Sequence, residues 1–184
     1  MIHRLLAIFI LLSLTLLERP NLVAENESSP RDNKIQSNLE EPTRILQDHF
    51  LKIIKVADVK GFMKLVPDRG AFLGTDQPRS SRAAIQRSMD HRTDFYCLLF
   101  DSECLSQSRA KNGEVHSHVC SYREVLTDPD KISISHTVEP HRGQILAFID
   151  VDVSNYKCSS TGQLMRFVFV RSANDWKLRA IPYP

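Results

Sequence analysis

QILAFIDVDVSNYKC (144–158) and QLMRFVFVRS (163–172) are the two runs whose reading decides the fold. With KISISHTVE (131–139) before them and DWKLRAIPY (175–183) after, they read as four β-strands in succession, rich in Val, Ile, Phe, Tyr and Thr. His141-Arg142-Gly143, Ser159-Ser160-Thr161-Gly162 and Ala173-Asn174 separate them, each break short enough for an antiparallel hairpin. A curled meander of this kind needs a cover for its buried face. The helical material that can supply one lies upstream.

From Thr43 the pattern changes to a helix. Leu46, Phe50, Ile53 and Ala57 fall on one face, and Gln47, Asp48, Lys52 and Lys55 on the other. Asp58 is placed to cap a second short helix carrying Phe62, Leu65 and Val66, which Pro67 stops. RGAFLGTDQP (69–78) reads as loop or short irregular strand, and Ser80 or Ser81 as the cap of a further helix. Ile85, Met89, Tyr96 and Leu99 share a face if that helix runs through Phe100. The alternatives are an end near Arg92, or a strand over Phe95–Phe100. Lys111-Asn112-Gly113-Glu114 predicts a hairpin joining 103–110 to 114–121, with Arg109 facing His116 and Cys104 one place off Cys120. Residues 122–129 lead into the meander as a short helix or turn.

The N-terminus reads as a leader. His3-Arg4 precedes an apolar run, LLAIFILLSLTLL (5–17), too short for the roughly 20 residues of a bilayer span, and cleavage is expected after Ala24. Residues 1–24 carry two arginines and one glutamate, so of the formal charge of +2 only +1 is left. A charge so near balance, with no Lys/Arg block, argues against a nucleic-acid partner, and no second apolar run calls for a membrane. Residues 25–42 hold only Ile35 and Leu39 as large apolar groups, a composition expected to form a flexible polar tail with a glycosylation sequon at Asn26. The expected domain is 43–184.

Four cysteines, Cys97, Cys104, Cys120 and Cys158, without a C-x-x-C pair, point to two disulfides in an extracellular chain. The predicted hairpin favours Cys104 with Cys120 and leaves Cys97 with Cys158. His116 and His118 alternate on one strand, and His136, Asp150 or Glu114 would have to converge on them to complete a metal site. A pair of histidines on an exposed hairpin is the simpler reading, so no metal and no cofactor are expected. The chain carries no G-x-S-x-G, H-E-x-x-H, P-loop or dinucleotide fingerprint.

ISISHTVEPHRGQILAFIDVDV, followed by GQLMRFVFVRSANDWKLRAIPYP with its Trp just after a polar turn, resembles the closing strands of the nuclear transport factor 2-like domain. The resemblance covers about residues 43–184. It implies an α+β fold in which a cone-like curved antiparallel sheet of four to six strands wraps a long N-terminal helix. It is strongest to small secreted single-domain members of unassigned activity. Other members are isomerases, dehydratases, cyclases and binding or dimerisation modules, so the fold alone does not choose a function.

Face bookkeeping supplies the candidate chemistry. A four-residue loop at 159–162 sets Tyr156 opposite Met165, Asp152 opposite Phe169 and Asp150 opposite Arg171. If Asn174-Asp175 closes the next hairpin, Phe169 faces Ala180 and Arg171 faces Leu178. One face then gathers Asp150, Asp152 and Tyr156 with Met165, Phe167, Phe169 and Leu178. On it a buried carboxyl could act as a base. A one-residue slip moves both aspartates into solvent. The opposite face, with Val151, Val153, Val168 and Val170, is an alternative core, and Asp150 then simply pairs with Arg171. The expected function is non-catalytic: a secreted cone that binds an apolar small molecule, a partner protein or a second copy of itself. Met165, Phe167, Phe169 and Leu178 would supply the concave contact surface. The enzymatic alternative is an isomerase or dehydratase using Asp152 as general base, helped by Tyr156 and Asp150. A cystatin-like inhibitor ranks last, because the stretch from Gln144 to Phe148 departs from the Q-x-V-x-G wedge.

Overall fold

In the computed structural model the described residues are 30–73, 78–111, 120–128, 132–153, 164–173 and 175–182. Helix α1 (Pro30–Lys55) is followed by α2 (Val59–Leu65), a two-residue strand β1 (Phe72–Leu73), α3 (Arg82–His91), α4 (Asp94–Phe100), α5 (Ser102–Lys111) and α6 (Tyr122–Leu126). The meander follows as β2 (Ser133–His141), β3 (Gln144–Asp152), β4 (Leu164–Ser172) and β5 (Asp175–Ile181). Apart from Pro30, all of these elements belong to one unit, Arg31–Pro184. The class is α+β, with a curved sheet in the order β1-β5-β4-β3-β2. The expected antiparallel sheet is therefore mixed, because β1 joins β5 in parallel, Phe72 beside Ala180. Among the described residues no helix is long and apolar enough to cross a membrane.

Helix α1 turns Leu46, Phe50 and Ile53 of the predicted stripe inward but ends at Lys55, so Ala57, with a left-handed φ of 53°, lies beyond it. Leu46, Phe50, Ile53 and Ile54 are buried in the core. The helix also reaches back to Pro30, into the segment expected as a flexible tail, and Leu39 is buried there. Composition measures only what a segment can bury. Once a packed stripe has nucleated a helix, each further residue costs little and gains a backbone bond. Around Pro42, which removes one such bond, the Thr43 hydroxyl donates to the Leu39 carbonyl at 2.7 Å and Arg44 grips Glu41.

The capping expectations hold at α2 and α3. The Asp58 carboxylate accepts from the Gly61 N–H at 2.9 Å, and the Ser81 hydroxyl accepts from Ala84 at 3.2 Å. The long helix through Phe100 breaks in two at Arg92, whose φ of 52° is left-handed. Ser88, almost fully buried, joins the halves: its hydroxyl donates to the Thr93 carbonyl and accepts from the Phe95 N–H. Phe95–Phe100 is thus helical, and the strand alternative is excluded.

The expected hairpin over 103–110 is instead helix α5. Glu103, Leu105, Gln107 and Ala110 are helix formers, and the Asp101 carboxylate accepts from the Cys104 N–H at 3.0 Å to cap the first turn. The Asn-Gly signal and both His116 and His118 lie outside the described residues. The disulfide pairing changes with the fold. Cys97 on α4 bonds Cys104 on α5, in place of the expected Cys104–Cys120 and Cys97–Cys158 pairs. Cys120 is itself disulfide-bonded, and Cys158 lies outside the described residues.

The β3–β4 ladder sets the faces. Asp152 lies opposite Leu164, five residues from the expected Phe169, and Asp150 lies opposite Arg166 rather than Arg171. Five is odd, so the slip exchanges the faces of one strand relative to the other. Ala147, Ile149 and Val151 line up with Phe169, Phe167 and Met165 on the helix side, and Phe148, Asp150 and Asp152 with Val168, Arg166 and Leu164 on the outer side. Neither expected grouping occurs, and the core draws from both. On β5, Leu178 pairs with Phe169 and Trp176 with Arg171, before a bulge brings Ala180 opposite Val168.

Candidate functional site

The four residues expected to contact a ligand are filled core. Met165 is 6% exposed, and Phe167, Phe169 and Leu178 are fully enclosed. The Phe50 ring of α1 lies 4.8 Å from that of Phe167 and 5.3 Å from that of Phe169, centroid to centroid. Tyr122 of α6 meets Phe167 edge-on at 5.0 Å, and its hydroxyl donates to the Pro182 carbonyl. His136, considered as a metal ligand, lies on this side and bonds Gln47 of α1 at 2.9 Å. Among the described residues no group of three His, Cys, Asp or Glu side chains is placed to hold a metal ion.

The candidate carboxylates lie on the outer face, away from this aromatic cluster. Asp150 is buried beneath Arg166, which reaches back with two hydrogen bonds, Nε to Oδ1 at 2.8 Å and Nη2 to Oδ2 at 2.9 Å. The same guanidinium sits 4.9 Å above the Phe148 ring. Its bond to Asp150 holds Arg166 protonated above the usual arginine range. With a fork engaging both carboxylate oxygens, Asp150 is placed as an ion-pair partner of Arg166. Asp152 is exposed at the strand end, paired across the ladder with Ser133 and Leu164. Tyr156, its proposed helper, and Asn26 lie outside the described residues. Asp150 and Asp152 thus share the outer face and not the aromatic one, and the part of the expected trio that falls on Tyr156 lies outside the described residues.

What the fold does assemble is a cleft of about 420 Å³ where β3 begins, β4 ends and β5 begins. Its apolar wall is Val170, and the turn Pro67–Arg69 closes the other side. That turn is held at several points. The Gly70 N–H donates to the Pro67 carbonyl at 2.8 Å, and Gly70 has a φ of +80°. A Cβ there would lie 1.9 Å from the Ser80 carbonyl oxygen, so only glycine fits. Just upstream, Arg82 donates to the Val66 carbonyl.

The cleft's side chains are rich in donors. Lys177 is committed to the scaffold: its ammonium donates to the Lys64 carbonyl at 3.0 Å and to Asp175 at 2.7 Å. That bond holds the Asp175 carboxyl below the usual range. Arg171 lies 5.8 Å from the Trp176 ring. Arg179, the residue inserted by the β5 bulge, donates to Gln144 Oε1 at 3.2 Å, which leaves the Gln144 amide nitrogen as a donor on the cleft. Sequence reasoning did not select these residues. Arg69 and Gln144 carry no motif, and Arg171 entered only as a partner for Asp150. The usable signal was the Asp-Arg-Gly turn directly after Pro67.

No protein family matches the chain, and no curated protein does. One solved structure, of a designed nuclear transport factor 2-like protein, is similar with a TM-score of 0.42 and 12% identity, covering 78% of this chain and 97% of that one.

Proposed function

We propose that the chain is a secreted, non-catalytic binding protein of nuclear transport factor 2-like design, its curved sheet closed as a cone around α1. In this reading the ligand site is the cleft beside Val170, and the helix-covered face serves as core. One observation carries the proposal. The aromatic surface expected to receive a ligand is already filled by Phe50 and Tyr122, whereas the cleft is a preformed concavity of small-molecule size. The Asp150–Arg166 fork supports a binding role over proton transfer.

Ligand-observed screening followed by amide shift mapping tests it. Perturbed amides should cluster at Arg69, Gln144 and Val170–Ser172. Shifts centred on Phe167, Phe169 and Leu178 would restore the interior pocket. Turnover of a steroid-like or polyketide-like substrate, abolished by Asp152→Ala, would replace the proposal with the enzymatic reading.

A further inference from the structure

The cleft's chemistry narrows its ligand, and this inference rests on the cleft being the binding site. Arg69 and Arg171 both line it, and neither has an ion pair with another described residue. Contrast Arg166 and Arg44, whose forks are filled by Asp150 and Glu41. Ser172 and the Gln144 amide nitrogen add neutral donors, while the charge of Lys177 is met by Asp175 at 2.7 Å. Asp68 is the only carboxylate among the lining residues, so with Lys177 met by Asp175 the cleft keeps an excess of one positive charge, two arginines against one aspartate. A donor-rich lining with a cationic excess is complementary to an acceptor-rich, negatively charged group. Val170 is 5% exposed and gives the same cleft an apolar wall.

We infer that the cleft binds a small organic anion, an oxyanion group on a compact apolar body. Arg69 and Arg171 clasp the oxyanion while Val170 packs the body. Guanidinium forks match both carboxylate and phosphate oxygens, so the shared chemistry is the oxyanion. A volume of about 420 Å³ takes a single-ring compound rather than a polymer segment. The turn carrying Arg69 is pinned by Gly70 and by Arg82 on the Val66 carbonyl, so that guanidinium is delivered from a rigid base.

The molecule contains its own reporter. Trp176, the sole tryptophan, is buried next to Arg171. The full chain is titrated with benzoate, phenyl phosphate and the neutral benzamide while Trp176 emission and the Val170 and Gln144 amides are followed. Benzoate or phenyl phosphate should give a saturable response that weakens with added salt, and benzamide should bind at least tenfold less tightly. The preferred member of the charged pair tells carboxylate from phosphate. Arg69→Gln should weaken the anion about tenfold, or ~1.4 kcal/mol. Asp68→Asn should tighten it several-fold, a gain that a merely structural role for the turn does not produce. If benzamide binds as well as benzoate and both variants are neutral, the cleft is a binding site but the anion inference is wrong. If none of the three probes moves the Val170 and Gln144 amides, the cleft reading fails as well.

Discussion

The two faces of one sheet are built from the same four strands and differ in what their side chains already have. On the helix side, Phe167 and Phe169 are enclosed by Phe50, and Phe167 also by Tyr122. On the outer side, Asp150 is covered by a single flexible arginine, and Leu164 is 56% exposed. The first face is held by close packing, in which each deleted atom leaves a void. The second is held by charge-assisted bonds at a solvent boundary, where water can replace a lost partner. Stability should therefore reside in the first face, and recognition in the second and at its rim.

The largest test of that contrast is Phe167→Ala, which should cost about 3–5 kcal/mol in denaturant unfolding through lost burial and the cavity left beside Phe50. A loss under about 1 kcal/mol would mean the face is loosely filled and available to a ligand after all. Next is the layer that covers it. Cys97 is part of the core, so Cys97→Ser with Cys104→Ser should cost about 2–3 kcal/mol and loosen α4 and α5 ahead of the outer strands in hydrogen exchange. Unreduced peptide mapping of the native chain should return Cys97–Cys104 and, by elimination among four cysteines, Cys120–Cys158. A Cys104–Cys120 peptide would break the assignment.

On the outer face, Asp150→Ala should cost about 1–2 kcal/mol, because the half-exposed Arg166 it abandons can turn to water. A loss equal to that of Phe167→Ala would erase the distinction between the faces. The smallest effect belongs to the rim. The Lys177 bond holds the Asp175 carboxyl below its unfolded value. Its contribution is therefore present above the unfolded carboxyl pKa and is lost as pH falls through the folded value. Asp175 is 68% exposed, so solvent screening keeps this under about 1 kcal/mol. Asp175→Asn should lower stability slightly at neutral pH and flatten the acid limb of the melting curve. A steeper acid limb in that variant would contradict the sign.

By itself the sequence determined the four meander strands, the inward stripe of α1, and the Asp58 and Ser81 caps. Each of these is written in local periodicity or in a side chain that bonds its own backbone. Three features came only from the tertiary structure. The β3–β4 register depends on where the ladder stops, and an odd error of five residues exchanged the sides of a strand pair whose two faces are both apolar enough to be buried. The Cys97–Cys104 bond depends on α4 and α5 meeting after Asp101, which a hairpin signal ten residues downstream obscured. The cleft joins a turn at 67–69 to strand ends near 144, 171 and 177. No spacing along the chain records that convergence, because only the curvature of the sheet and the pinned Gly70 turn bring those donors to one place.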